Sequence, residues 1–129
     1  MTSRVEDRLS HILDAIAHIE QLVSQVPLDT LSADIIARAA FERFLEVISE
    51  ASRHIPEELK AGHPEVPWRR VADIGNQLRH AYDLVDPQIL YKIHVTGDLI
   101  VLRHAAVAML SNNKARSASS STSVKISSN

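Results

Sequence analysis

Apolar residues at Val5, Leu9, Ile12, Ile16, Ile19, Val23 and Val26 open the chain in steps of four and three. That spacing keeps one face of a helix apolar for nearly four heptad-like repeats. Leu13 and Leu22 widen the seam enough for a bundle core and a dimer contact besides. Pro27 ends this helix, because its ring and missing N–H break the ladder. Asp29, Thr30 and Ser32 then offer N-caps for a second helix. Its stripe runs through Ile36, Ala40, Phe44, Val47, Ile48 and Ala51. Pro56 closes it, and Gly62-His-Pro64 makes a turn-rich connection.

Pro64 or Pro67 can occupy the first turn of a third helix. That helix has two regular faces. Trp68, Val71, Gly75, Leu78 and Tyr82 form one, and Arg69, Asp73, Asn76 and His80 form the other. Asp86 as N-cap and Pro87 as first helical residue restart the chain. The fourth helix carries Ile89, Ile93, Ile100 and Val107, with Gly97 either weakening its middle or permitting close packing. Four amphipathic helices with short links predict an all-α, up-and-down four-helix bundle over residues 1–110. From Ser111 to Asn129 the chain turns to Ser, Asn and Lys with little apolar content. Such a segment buries too little surface to offset its ordering entropy, so 111–129 is expected to be a disordered tail.

Composition narrows the picture further. The length of 129 residues suits one core, and 45% hydrophobic against 23% charged residues is a globular balance. The absence of cysteine rules out disulfides and thiolate zinc sites and fits a reducing compartment. The first eight residues include Arg4, Glu6, Asp7 and Arg8, with no apolar signal core. The longest apolar run, Asp98 to Leu110, is interrupted by Arg103 and His104 and is too short to span a bilayer. A cytoplasmic protein with no membrane segment is expected. A formal net charge of -2 argues against a broad electrostatic grip on nucleic acid, but allows a local basic groove or one built by two copies.

His80 leads the candidate chemistry, since imidazole can trade a proton near neutral pH. A histidine at a helix C-terminus is also favoured simply by the helix dipole, and periodicity alone does not separate the two. Arg79 presents a planar fork suited to phosphate. On an ideal helix it points roughly 100° away from His80, so the two converge on one ligand only if the helix frays or a second subunit contributes. Asn76, one turn before His80, can orient the ring or hold a substrate oxygen. Tyr82 shares the apolar stripe with Leu78, where a rim aromatic with a wet hydroxyl is an equal alternative. Arg43, Glu46 and Glu50 form a row that is either a solvated face or, near His80, a groove wall in which Glu50 positions catalytic groups. Glu50 and Asp73 are the supporting carboxylates. His11, Asp14 and His18 share a face but are too few to hold a metal by themselves. Gly-rich phosphate loops, Ser-His-Asp sets and HExxH are absent, and no metal or cofactor is expected.

Taken as a set, Leu45-Glu-Val-Ile-Ser-Glu-Ala51, Val66-Pro-Trp68, Gly75-Asn76, Leu78-Arg-His80, Tyr82 and Asp86 resemble the HEPN superfamily, and most closely the HepT-like toxins of bacterial and archaeal toxin–antitoxin pairs. The resemblance spans about residues 4 to 110. It implies a four-helix bundle that forms a homodimer with a groove at the subunit interface. It also implies metal-independent RNA cleavage by an R-x(4–6)-H motif, with His80 acting on the 2′-hydroxyl or leaving group. The implied partner is a minimal nucleotidyltransferase antitoxin, which in some pairs adds AMP to the tyrosine matching Tyr82. The motif arginine falls at Gly75 here, with Arg79 and Arg69 the nearest substitutes in sequence. The resemblance therefore allows a toxin ribonuclease with catalytic His80, Arg79 and Asn76, or a non-catalytic interaction module that has lost cleavage.

Overall fold

The computed structural model describes the backbone of residues 4–84, 91 and 94–127, and side chains over 4–79 and at 91, 95 and 97–116. Among these residues there is no strand. The elements are α1 (Arg4–Gln25), α2 (Leu28–Leu31), α3 (Ile35–Arg53), α4 (Glu57–Ala61), α5 (Trp68–Ala72) and α6 (Ile74–Leu84), then a π-helical turn (His94–Asp98) leading into α7 (Leu99–Ser127). The protein is an all-α fold, and its long helices pack as a bundle. α1 lies against α3 and α7, while α5 and α6 pack on the other flank of α3.

Prolines punctuate the chain as anticipated. Pro27, Pro56 and Pro67 each stand at the N-cap of α2, α4 and α5. A proline there forfeits no ladder hydrogen bond and presets φ for the following turn. The seam of α1 also forms as expected, with Leu9, Ile12, Ile16 and Ile19 buried and Val5, Leu13, Leu22 and Val23 packed around them.

Other expectations require correction. The N-cap of α3 is Asp34, whose carboxylate accepts from the Ala37 N–H at 3.0 Å; Asp29 and Thr30 fall within α2 instead. The buried face of α3 is Ala37, Phe41, Leu45, Ile48 and Ala51, whereas Ile36 is 84% exposed. Alternative apolar rows exist along this helix, and the neighbours decide which one turns inward. On α7 the core residues are Leu99, Leu102, Ala105, Ala106 and Met109, with Ile100 and Val107 on the outside. Gly97 lies in the π-turn, and among the described residues a Cβ there would meet nothing within 4 Å. Asp86, Pro87, Ile89 and Ile93 lie outside the described residues.

Long-range polar contacts fix the helices relative to one another. Arg70 on α5 donates from Nε and Nη2 to the buried Asp98 carboxylate, both at 2.7 Å. The fully buried Tyr91 stacks at a tilt on Phe41 and donates to Glu42 Oε1 at 2.6 Å. Arg103 pairs with Glu20, and Asn113 Nδ2 donates to Glu6 Oε1 at 3.0 Å, so α7 runs antiparallel to α1. The helical backbone of α7 continues to Ser127, past the Leu110 boundary drawn from composition. No described helix is long and apolar enough to cross a membrane.

Candidate active site

The expected third helix is two helices, and the break shapes the site. The backbone turns at Asp73 (φ −93, ψ 4) between α5 and α6. At that point the Ala72 carbonyl accepts three side-chain donors from α3: the Ser49 hydroxyl at 2.8 Å, Arg53 Nη2 at 2.7 Å and Arg53 Nε at 3.2 Å. Donors of this kind compete with the helical ladder for the carbonyl. Ile74, not Gly75, carries the apolar stripe into the core between Val71 and Leu78. Gly75 is thereby released from helix packing and lines an open groove.

That groove lies between α3 and α6 and encloses about 360 Å³. Arg43, Glu46, Ser49, Glu50 and Arg53 line it from α3, and Gly75 and Arg79 from α6. The α3 row lines this groove and is at the same time an exposed, salt-bridged face. Arg79 folds back along its own helix, so that its Nη1 sits 3.7 Å from where a Cβ on Gly75 would stand. The guanidinium thus covers the glycine.

The groove holds three arginines against two glutamates, which is locally positive on a chain of net charge -2. Its carboxylates are partly spoken for. Glu46 pairs with Arg43 at 3.6 Å. Glu50 Oε1 accepts from His54 Nε2 at 3.1 Å, and Oε2 lies 3.4 Å from Arg53 Nη1. The hydrogen bond from His54, helped by the charges of His54, Arg53 and Arg8, holds the Glu50 carboxyl below its ordinary range. Among the described residues Arg79 makes no ion pair, which leaves its fork available to an anion.

The remaining candidates separate. Asn76 is half-buried in the first turn of α6 and does not line the groove. Asp73 is exposed, and its carbonyl accepts from the Gln77 N–H at 3.0 Å, a capping role at the break rather than a groove wall. His80 and Tyr82 fall within α6, but their side chains lie outside the described residues. His11, Asp14 and His18 are exposed, with His18 stacked on Phe44 at 5.1 Å between ring centroids. Among the described residues no three potential ligands gather to hold a metal. Ser49 and Arg53 were not anticipated. The signal for Ser49 is a small hydroxyl residue amid the apolar positions of α3; Arg53 differs little from any helix-terminal arginine.

Other recesses are larger but hold none of the expected catalytic residues. One of about 700 Å³ lies between α4 and the middle of α7, beside Leu59, His63, Met109 and Asn113. Another of about 520 Å³ is lined by Arg4, Asp7, Arg8, His11 and His54.

Residues 12–109 match the family model described as ribonuclease HepT-like. The chain is similar to a probable ribonuclease HepT of Thermococcus cleftensis, 39% identical over 87 residues that cover 67% of this chain and 79% of the relative. It is also similar to a putative RNase of Caldanaerobacter subterraneus subsp. tengcongensis, 31% identical over 84 residues covering 65% and 75%. A putative RNase of Methanocaldococcus jannaschii is 31% identical over 85 residues, covering 66% and 78%. No solved structure gives a significant match.

Proposed function

Because this chain belongs to the HepT-like ribonuclease family, we propose that it is a metal-independent endoribonuclease, the toxin of a cytoplasmic toxin–antitoxin pair. The observation that carries this reading is the Arg79 guanidinium, unpaired among the described residues and lying over Gly75 in a net-positive groove. Arg79 would supply, from the next turn of the same helix, the phosphate contact that the missing side chain of Gly75 does not.

In the proposed step the 2′-oxygen of a nucleotide attacks its own 3′-phosphate, and the 5′-oxygen of the next nucleotide leaves. His80 takes the 2′-hydroxyl proton and gives it up to the leaving 5′-oxygen, which departs as an alcohol. Arg79 holds the non-bridging phosphate oxygens as charge builds on them. Asn76 orients His80 or a substrate oxygen, and Glu50 fixes Arg53 along the groove wall.

A homodimer would join two such grooves. A surface is available for it: Ile36 is exposed, and Ala40, Phe44 and Val47 continue along α3 only partly buried. A minimal nucleotidyltransferase antitoxin would attach AMP to Tyr82, adding bulk and negative charge two residues past His80. The second reading, a non-catalytic interaction module, is favoured by one observation, the absence of any side chain at Gly75.

One experiment separates the two. Wild type is expected to cut a fluorogenic RNA in the presence of EDTA, and His80→Ala to lose about 100- to 10,000-fold of that rate while melting normally. Full cleavage by His80→Ala would remove His80 from catalysis. An inert wild type would establish the module.

A further inference from the structure

The recess lined by Arg4, Arg8, His11 and His54 is not used in the mechanism above. Arg4, Arg8 and His11 follow one another at steps of four and three along α1, and His54 reaches the same space from the end of α3. Among the described residues Asp7 is the one carboxylate in its lining. Among the described residues neither Arg4 nor Arg8 is committed to an ion pair. Two unpaired guanidinium groups and two imidazoles around a volume of about 520 Å³ are a setting for phosphate, not for an apolar ligand.

This recess adjoins the groove. α3 runs between them, presenting Arg43, Glu46, Glu50 and Arg53 to the groove and His54 to the recess. The boundary is the Glu50–His54 pair itself, bonded at 3.1 Å. The Glu50 charge that a polyanion would meet here is countered by Arg53, 3.4 Å away, and its other oxygen is occupied by the hydrogen bond to His54. From Arg43 to His54 the helix rises roughly 16 Å, about the length of five stacked nucleotides.

We infer that Arg4 and Arg8, with His11 and His54, form a second phosphate-binding site that holds the RNA strand several nucleotides from the scissile bond. The inference rests on the ribonuclease reading and assigns the far end of the same substrate. A short RNA fills the groove alone; a longer one crosses the Glu50–His54 pair and reaches the recess. The site contributes affinity and a minimum substrate length, not base sequence, because its groups recognise backbone charge.

The test is fluorescence anisotropy with 2′-O-methyl RNA of 3 and 12 nucleotides, which lacks the attacking hydroxyl and stays intact. Arg4→Ala/Arg8→Ala should weaken the 12-mer roughly 25-fold at 0.1 M salt, taking a factor of about five per single-strand phosphate contact. The plot of log affinity against log salt should flatten by about 1.4, and 3-mer binding should not change. Arg103→Ala removes a charge at the opposite end of α1, where Arg103 pairs with Glu20, and should change neither RNA. Arg4→Gln, at an exposed position, should still flatten the slope by about 0.7 if the double variant does not fold.

Unchanged 12-mer affinity and slope in a folded double variant would overturn the second site while leaving the groove intact. An equal loss from Arg103→Ala would overturn it as a bulk charge effect. Loss of antitoxin binding with RNA binding unaffected would reassign the recess to a protein partner. A wild type that binds neither RNA would remove the ribonuclease reading and this inference together.

Discussion

Gly75 allows a sharp prediction, because the fold leaves room for a side chain there. Among the described residues a Cβ at this position meets only the flexible tip of Arg79, at 3.7 Å, an ordinary van der Waals distance. Glycine in a helix interior costs about 1 kcal/mol relative to alanine. Gly75 is the second residue of α6, where less of that penalty applies. Gly75→Ala should therefore raise stability by about 0.5 kcal/mol. Gly75→Arg gains the same propensity but places a cation near the positive end of the α6 dipole, at a cost of about 0.3–1 kcal/mol. It also stands close to Arg79, which at ~6 Å in water-like dielectric costs about 0.7 kcal/mol, with Glu46 and Glu50 nearby to offset it. The net change should be within about 1 kcal/mol of zero.

The functional consequence follows from charge placement. If Arg79 supplies the phosphate contact, Arg79→Ala should cut kcat by about 100- to 1000-fold. Adding Gly75→Arg to Arg79→Ala restores a guanidinium one turn earlier in the same groove and should recover at least about a tenth of the lost rate. Urea titrations give the stabilities, and a fluorogenic RNA gives the rates. Destabilisation of Gly75→Ala by more than about 2 kcal/mol would show that the position is packed after all. An Arg79→Ala variant as active as wild type would refute its role on phosphate.

Two further outcomes follow from contacts outside the chemistry. Ser49→Ala and Arg53→Ala each leave the Ala72 carbonyl a remaining donor, so each should cost about 0.5–1.5 kcal/mol in urea unfolding, with the exposed Arg53 bond at the low end. The double variant strips the carbonyl and should cost about 1 kcal/mol more than the sum; strict additivity would mean that the three bonds do not share one acceptor in solution. Deleting Ser111–Asn129 removes the Asn113–Glu6 bond, for about 1 kcal/mol or roughly 2–8 °C in Tm by calorimetry. A fall of more than ~10 °C would show that the end of α7 docks on the bundle.

The sequence by itself determined the helical class, the seam of α1 and the proline boundaries. These follow from local causes: a 3.6-residue period sorts residues onto a face, and a proline without an N–H stops a ladder wherever it stands. It also carried the family, through residues spread over several helices whose match needs no coordinates. The tertiary structure decided three matters that no local rule reaches. It chose the buried row of α3, leaving Ile36 outside, because several helix faces were apolar enough and only neighbouring helices could select one. It broke the third helix at Asp73, where donors at positions 49 and 53 meet a carbonyl at position 72 across the bundle. And it turned Gly75 and Arg79 toward Glu50, making a groove from helices that periodicity treats separately. Spacing along a chain fixes which side chains share a face; what that face meets depends on contacts between residues far apart in sequence.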